Sequence, residues 1–173
     1  GGDGRGAGNL GAMNLHPLVK EFSFLIGTWQ GAGRGDYPTI DAFRYRETLT
    51  FAFIPGKPFL RYEQKTMGAE DTPMHTECGF LRPIGDGRVE FTLAQPTGQT
   101  ELLEGAVTDG DDGELVIELG TSTVVNSTSA KQVDATSRTY VVDADRTALV
   151  TEFGMAAVGQ PMQRHLVSEL TKQ

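Results

Sequence analysis

One cysteine, Cys78, stands alone among 173 residues, so no intrachain disulfide can form and a disulfide-stapled secreted scaffold is excluded. Long apolar runs are missing as well. No stretch approaches the ~20 residues that cross a bilayer as a helix, and no signal-peptide pattern is visible. The chain is therefore expected to be soluble and cytoplasmic, without a membrane partner. Basic charge is scarce: 15 Lys and Arg face 23 Asp and Glu, for a formal net charge of −8. A field of that sign repels phosphate backbones. The densest basic stretch, Arg44, Arg46, Lys57, Arg61 and Lys65, alternates with aromatic and acidic residues as solvent faces of strands do. Nucleic acid is not an expected partner. Histidine is rare too: His16, His75 and His165 lie far apart, without the clustered spacing of a zinc site.

What is present is a β pattern. Hydrophobic residues make up 38% of the chain, which rules out a disordered reading. Residues 1–13 are glycine-rich with almost nothing apolar and are expected to form a flexible tail. Folding is expected over 14–173, as one domain. Pro17 sits at a first helical position, and Leu18, Val19, Phe22 and Ile26 follow at helical spacing, which predicts one short amphipathic helix. After Gly27 the period falls to two, most clearly over Phe43–Phe53. The segments 59–65, 74–81, 89–94, 101–107, 115–119, 138–142 and 148–153 continue the series, with turn signals such as Pro55-Gly56 and Gly85-Asp86-Gly87 between them. Residues 160–170 form a short amphipathic C-terminal segment. Many strands joined by tight turns point to an all-β, antiparallel up-and-down barrel or a sandwich. Closure favours the barrel, because it removes exposed edges. A barrel of about eight to ten strands encloses room for one ligand.

The short motifs fail as catalytic signatures. Gly31-x-Gly33-x-Gly35 runs into Asp36 and Pro38 with no helix behind it, so it is no dinucleotide loop. Its glycines suit a sharply coiled first strand, with Trp29 plugging one barrel end. The run from Asp109 to Glu114 lacks the glutamate that closes a calcium loop and reads as a hairpin turn. Gly56-Lys57 is followed by Pro58 where a phosphate loop needs Ser or Thr. Asn126-Ser127-Thr128 is a glycosylation sequon, idle without secretion. No Gly-x-Ser-x-Gly elbow exists. His75 and Cys78 lie three apart, so strand parity sends them to opposite faces. Glu47, Glu63, Glu77, Glu90, Glu101, Glu104 and Glu152 all fall on strands, and with so many, solvent faces are the expectation. Each histidine reads first as a hydrogen-bonded structural residue, yet a haem needs only one axial imidazole and an apolar cleft.

Gly27-x-Trp29-x-Gly31-x-Gly33, Tyr37-Pro38-Thr39-Ile40 and Phe43-Arg44-Tyr45 resemble the nitrobindin family's signature. Gly56 to Leu60, Met74 to Arg82, Ala94 to Gly98 and Met155 to Leu166 extend that resemblance in order from Leu15 to Lys172. The resemblance implies a ten-stranded antiparallel barrel, shaped like fatty-acid-binding proteins, holding one haem b per chain in a cleft near one end. It implies isomerisation of peroxynitrite to nitrate at ferric haem and reversible nitric oxide binding at ferrous haem. By position His165 matches the family's proximal iron ligand. His75 and Met74 match residues near the haem, Gln95 and Met155 match cavity positions, and Thr39 and Lys131 match haem contacts. Similar proteins admit a homodimer. The alternative is a non-catalytic carrier of a hydrophobic ligand in the barrel interior.

Overall fold

In a computed structural model describing residues 14–173, the period-two segments become ten strands. They are β1 (Gly27–Tyr37), β2 (Ile40–Phe53), β3 (Leu60–Met67), β4 (Pro73–Gly85), β5 (Arg88–Ala94), β6 (Gln99–Asp109), β7 (Leu115–Asn126), β8 (Val133–Val142), β9 (Ala148–Ala157) and β10 (Gln163–Lys172). Each pairs antiparallel with its neighbours in sequence, and β1 pairs with β10, so the sheet closes into an up-and-down barrel. The barrel rather than the sandwich is thus the outcome. The expected flexible tail, 1–13, lies outside the described residues.

Alternation decides what faces inward. In β2, Tyr45, Glu47, Leu49 and Phe51 are buried, while Arg44 and Arg46 face solvent. Lys57, Arg61 and Lys65 are exposed as well. The lower half of the interior is apolar, packed with Trp29, Leu49, Phe51, Leu60, Phe91, Leu103 and Leu149. The N-terminal segment closes that end. It is broken where a single helix was expected: α1 (Pro17–Lys20), N-capped by His16 Nδ1 accepting from Leu18 N, is followed by a separate 3-10 turn at Ser23–Leu25. The break at Phe22 allows Val19, Phe22 and Leu25 all to be fully buried. Trp29 plugs this end as expected, its Nε1 donating to Leu25 O at 3.0 Å.

The other end is open. There the turns β1–β2, β3–β4, β5–β6 and β9–β10 surround a mouth, together with the loop between β7 and β8. Pairing between β7 and β8 stops at Leu119 opposite Arg138, although both strands continue toward the mouth. Side chains span the split instead. Asn126 Nδ2 donates to Val133 O at 2.9 Å, Val133 N donates to Asn126 Oδ1 at 3.0 Å, and Thr136 N donates to Ser122 Oγ at 3.0 Å.

Candidate functional site

Behind the mouth lies a cavity of about 820 Å³, in the range of small-molecule and cofactor sites. Its upper walls carry Tyr37, Ile40, Phe43, Phe153, Met155 and Leu166. Glycine makes room for part of this wall: at Gly35 any Cβ would collide with the Phe43 ring and Leu166.

His165 owes its position to two irregularities. On the β9–β10 ladder Arg164 faces Gly154 and Leu166 faces Phe153, so His165 is an extra, bulged residue. A second register shift lies where Gly35 faces Phe43 and Tyr37 faces Ile40: Asp36 of β1 stands there against two residues of β2, Asp41 and Ala42, so β2 carries the extra residue. Bulges re-aim side chains near functional sites, and Asp36, which lies at the second shift, meets the bulged His165, whose Nδ1 is 2.8 Å from Asp36 O. A carbonyl only accepts, so Nδ1 carries a hydrogen, and in the neutral ring this leaves the lone pair on Nε2. Tyr37, Phe43 and Phe153 surround the ring with centroids 5.3, 6.1 and 6.1 Å away. Tyr37 is itself tied down, its hydroxyl donating to Met155 O at 3.1 Å and accepting from Ala157 N at 3.1 Å. An imidazole with one nitrogen committed to a carbonyl, the other free and aromatic walls around it fits a haem ligand.

The other sequence-derived candidates gather around the same cavity. Thr39 lies at the β1–β2 turn, Lys131 in the β7–β8 loop, Met74 and His75 at the start of β4, Gln95 after β5, and Met155 on β9. The Lys131 loop is anchored by Gln99 Nε2, which donates to Lys131 O at 3.0 Å. Cys78 is exposed, on the opposite face of β4 from the cavity-lining His75, as parity required.

The cavity floor overturns one expectation. Glu63, Glu104 and Glu152 do face solvent, but Glu47, Glu77 and Glu101 are only 5, 5 and 4% exposed. They point inward with Arg138, itself 5% exposed and not singled out by the sequence reading. Arg138 Nη1 donates to Glu77 Oε2 at 2.6 Å and Nη2 to Glu101 Oε2 at 2.8 Å. Its guanidinium also stacks over Phe153, 4.7 Å from the ring centroid. Tyr62 donates to Glu77 at 2.8 Å, Thr136 to Glu101 at 2.6 Å, and Gln95 Nε2 also reaches Glu101. His75 Nε2 lies 3.2 Å from Glu77 Oε1. Burial pushes Glu77 up, but Arg138 and the bond from His75 outweigh it and hold the carboxyl down at about 2. Burial opposes the charge on Arg138, yet Glu77 and Glu101 keep it firmly protonated. Glu47 has no such partner, and burial raises it against hydrogen bonds from Ser168 and Gln64. Parity was the available signal: Glu47 shares its phase with Leu49 and Phe51, Glu101 with Leu103, and Arg138 with Tyr140 and Val142.

Comparison with known proteins agrees with this geometry. Residues 18–172 match the family model described as THAP4-like, heme-binding beta-barrel domain. The chain is 42% identical to a peroxynitrite isomerase of Nocardia farcinica over 162 residues, covering 93% of this chain and 94% of that protein. It is 43% identical to peroxynitrite isomerase 1 of Mycolicibacterium paratuberculosis over 163 residues, covering 92% and 98%. The crystal structure of Rv2717c from M. tuberculosis superposes with a TM-score of 0.86 at 41% identity, covering 92% of this chain and 99% of that one. With the barrel, the bulged histidine and these likenesses in agreement, the chain belongs to the THAP4-like, heme-binding beta-barrel domain family.

Proposed function

We propose that this protein binds haem b, one per chain, through His165 and isomerises peroxynitrite to nitrate. The observation that carries the reading is His165 itself, with Nδ1 engaged by the Asp36 carbonyl and its ring in the wall of a large cavity. Relatives of near-equal length are named peroxynitrite isomerase. When bound, haem supplies a ferric Lewis acid for the isomerisation and, when reduced, a ferrous centre for reversible nitric oxide binding. His165 would hold it through Nε2. Thr39, Lys131, Met74, His75, Gln95 and Met155, which line the same cavity, would contact it.

The floor disfavours the carrier alternative. A carrier would have to seat its apolar ligand on a cavity floor that holds Glu47, Glu77, Glu101 and Arg138. The same reading keeps the protein in the cytoplasm without a nucleic acid or membrane partner; among the described residues no helix is long and apolar enough to cross a membrane. A homodimer, if formed, doubles the mass in sedimentation velocity.

The test is a visible absorption titration of the full chain with hemin beside His165→Ala, followed by stopped-flow decay of peroxynitrite. A saturable Soret shift in the wild type, lost or strongly weakened in the variant, with faster decay than in buffer, is the expected result. An unshifted wild-type spectrum, or the same spectrum and affinity in His165→Ala, would overturn the assignment.

A further inference from the structure

Outside the barrel, behind the His165 bulge, the sheet surface carries a pocket of about 320 Å³. The bulge of β10 at His165 and the extra residue of β2 at Asp41 and Ala42 interrupt the ladders there. Three arginines line the pocket: Arg34 from β1, Arg44 from β2 and Arg164 from β10. Arg34 and Arg44 stand directly opposite each other on the β1–β2 ladder, and like charges so placed cost stability. No carboxylate forms an ion pair with either of them among the described residues. Arg164 has a loose partner, with Nη1 3.6 Å from Glu152 Oε1. Among the described residues the lining holds one carboxylate, Asp36. In a chain of net charge −8, this is a local excess of positive charge that the fold leaves uncompensated.

A second observation concerns the floor. Ser168 faces the cavity and Leu170 the core, so Val167 in the alternate phase faces outward. It lies opposite Arg34 and lines the outer pocket, yet it is only 6% exposed. Ala42 adds a second small apolar surface. An arginine-lined recess with a sunken aliphatic floor suits an anion, with or without a small apolar body. Guanidinium forks match phosphate oxygens in pairs. A dianion can compensate two adjacent guanidiniums at once, whereas nitrate or a carboxylate compensates one.

We propose that the Arg34–Arg44–Arg164 pocket binds a dianionic phosphate group, free or at the end of a small organic molecule. Arg34 and Arg44 donate to its oxygens, Arg164 supplies the third side, and an organic body rests on Val167 and Ala42. Binding relieves the repulsion of the opposed pair and so stabilises the fold. The acidity of the whole chain repels a long phosphate backbone, which restricts the ligand to small molecules. The site lies outside the barrel and uses none of the residues assigned to haem contact, so it and the haem assignment can fail separately.

The test is calorimetric titration of the full chain, without added hemin, with inorganic phosphate, phenyl phosphate and nitrate at about pH 8 and constant ionic strength. Saturable one-to-one binding of phosphate or phenyl phosphate is expected, with nitrate about tenfold weaker or more. Tighter binding of phenyl phosphate supports an organic phosphate as the source, and equal binding supports the free ion. Arg34→Gln and Arg44→Gln should each weaken phosphate about fivefold or more. Each should also melt at or above the wild-type temperature in phosphate-free buffer, because the opposed charges are gone. Arg61→Gln, on the exposed face of β3, should bind as the wild type does. Absence of saturable binding by both phosphates, nitrate bound as tightly, wild-type affinity in both pocket variants, or an equal loss in Arg61→Gln would overturn the proposal.

Discussion

Arg138 lies between Glu77 and Glu101 with its guanidinium hydrogen-bonded to both. Arg138→Leu would leave two buried carboxylates without counter-charge. Breaking such an arrangement from one side costs about 3–5 kcal/mol, so the variant should unfold at markedly lower denaturant, with an unchanged slope if the transition stays two-state. Glu47 behaves oppositely. Burial raises its carboxyl above the ordinary value of 4.5, and a raised acid contributes stability below its unfolded value that is lost as pH rises through the folded one. Glu47→Gln should therefore be neutral or stabilising at pH 7 in urea titrations; a clear loss there would show a charged Glu47 that the fold needs. Composition and motif reading missed these residues because polar side chains on strands are usually solvated. Parity with Leu49, Leu103 and Val142 carried the contrary signal in the same sequence. His165 was legible only through family resemblance, since no local pattern marks a bulge.

At the scale of elements, β2 and β3 were readable because their inward phase is dominated by Leu, Phe and Tyr. The mouth-side halves of β7 and β8 were not, and the sequence pattern stopped at Leu119 and began at Arg138. Their inward residues there include Ser122 and Thr136, which carry no apolar signal, and the two strands separate rather than pair. Asn126 takes the place of ladder bonds across that split, so its amide is structural although its sequence is a sequon. Asn126→Ala removes both bonds and should cost about 1–2 kcal/mol, with the Val133 amide exchanging faster in hydrogen-exchange measurements. Unchanged protection at Val133 would mean that the split is held by other contacts. The N-terminal helix was placed but not its break, because burial of Val19, Phe22 and Leu25 in one plug decides it against local spacing.

For the whole molecule, the depressed Glu77 sets an acid limit. Its carboxyl is held at about 2 against an ordinary value of 4.5, so its contribution is complete above 4.5 and is lost as pH falls toward 2. Denaturant midpoints measured from pH 5 to about pH 2 should fall steeply in the wild type and less steeply in Arg138→Leu, where the counter-charge is already gone. The closure of β1 on β10 has a consequence in time. Every other ladder joins strands adjacent in the chain and can zip as the chain emerges, whereas this one joins strands separated by the entire barrel. β10 also carries His165 and Ser168. During synthesis nine strands can collapse into an open curl with neither the ring completed nor the imidazole present, and the same late strand delivers both. Under the assignment proposed above, haem capture through His165 waits for the strand that seals the barrel, and a nascent chain stalled before β10 lacks that imidazole.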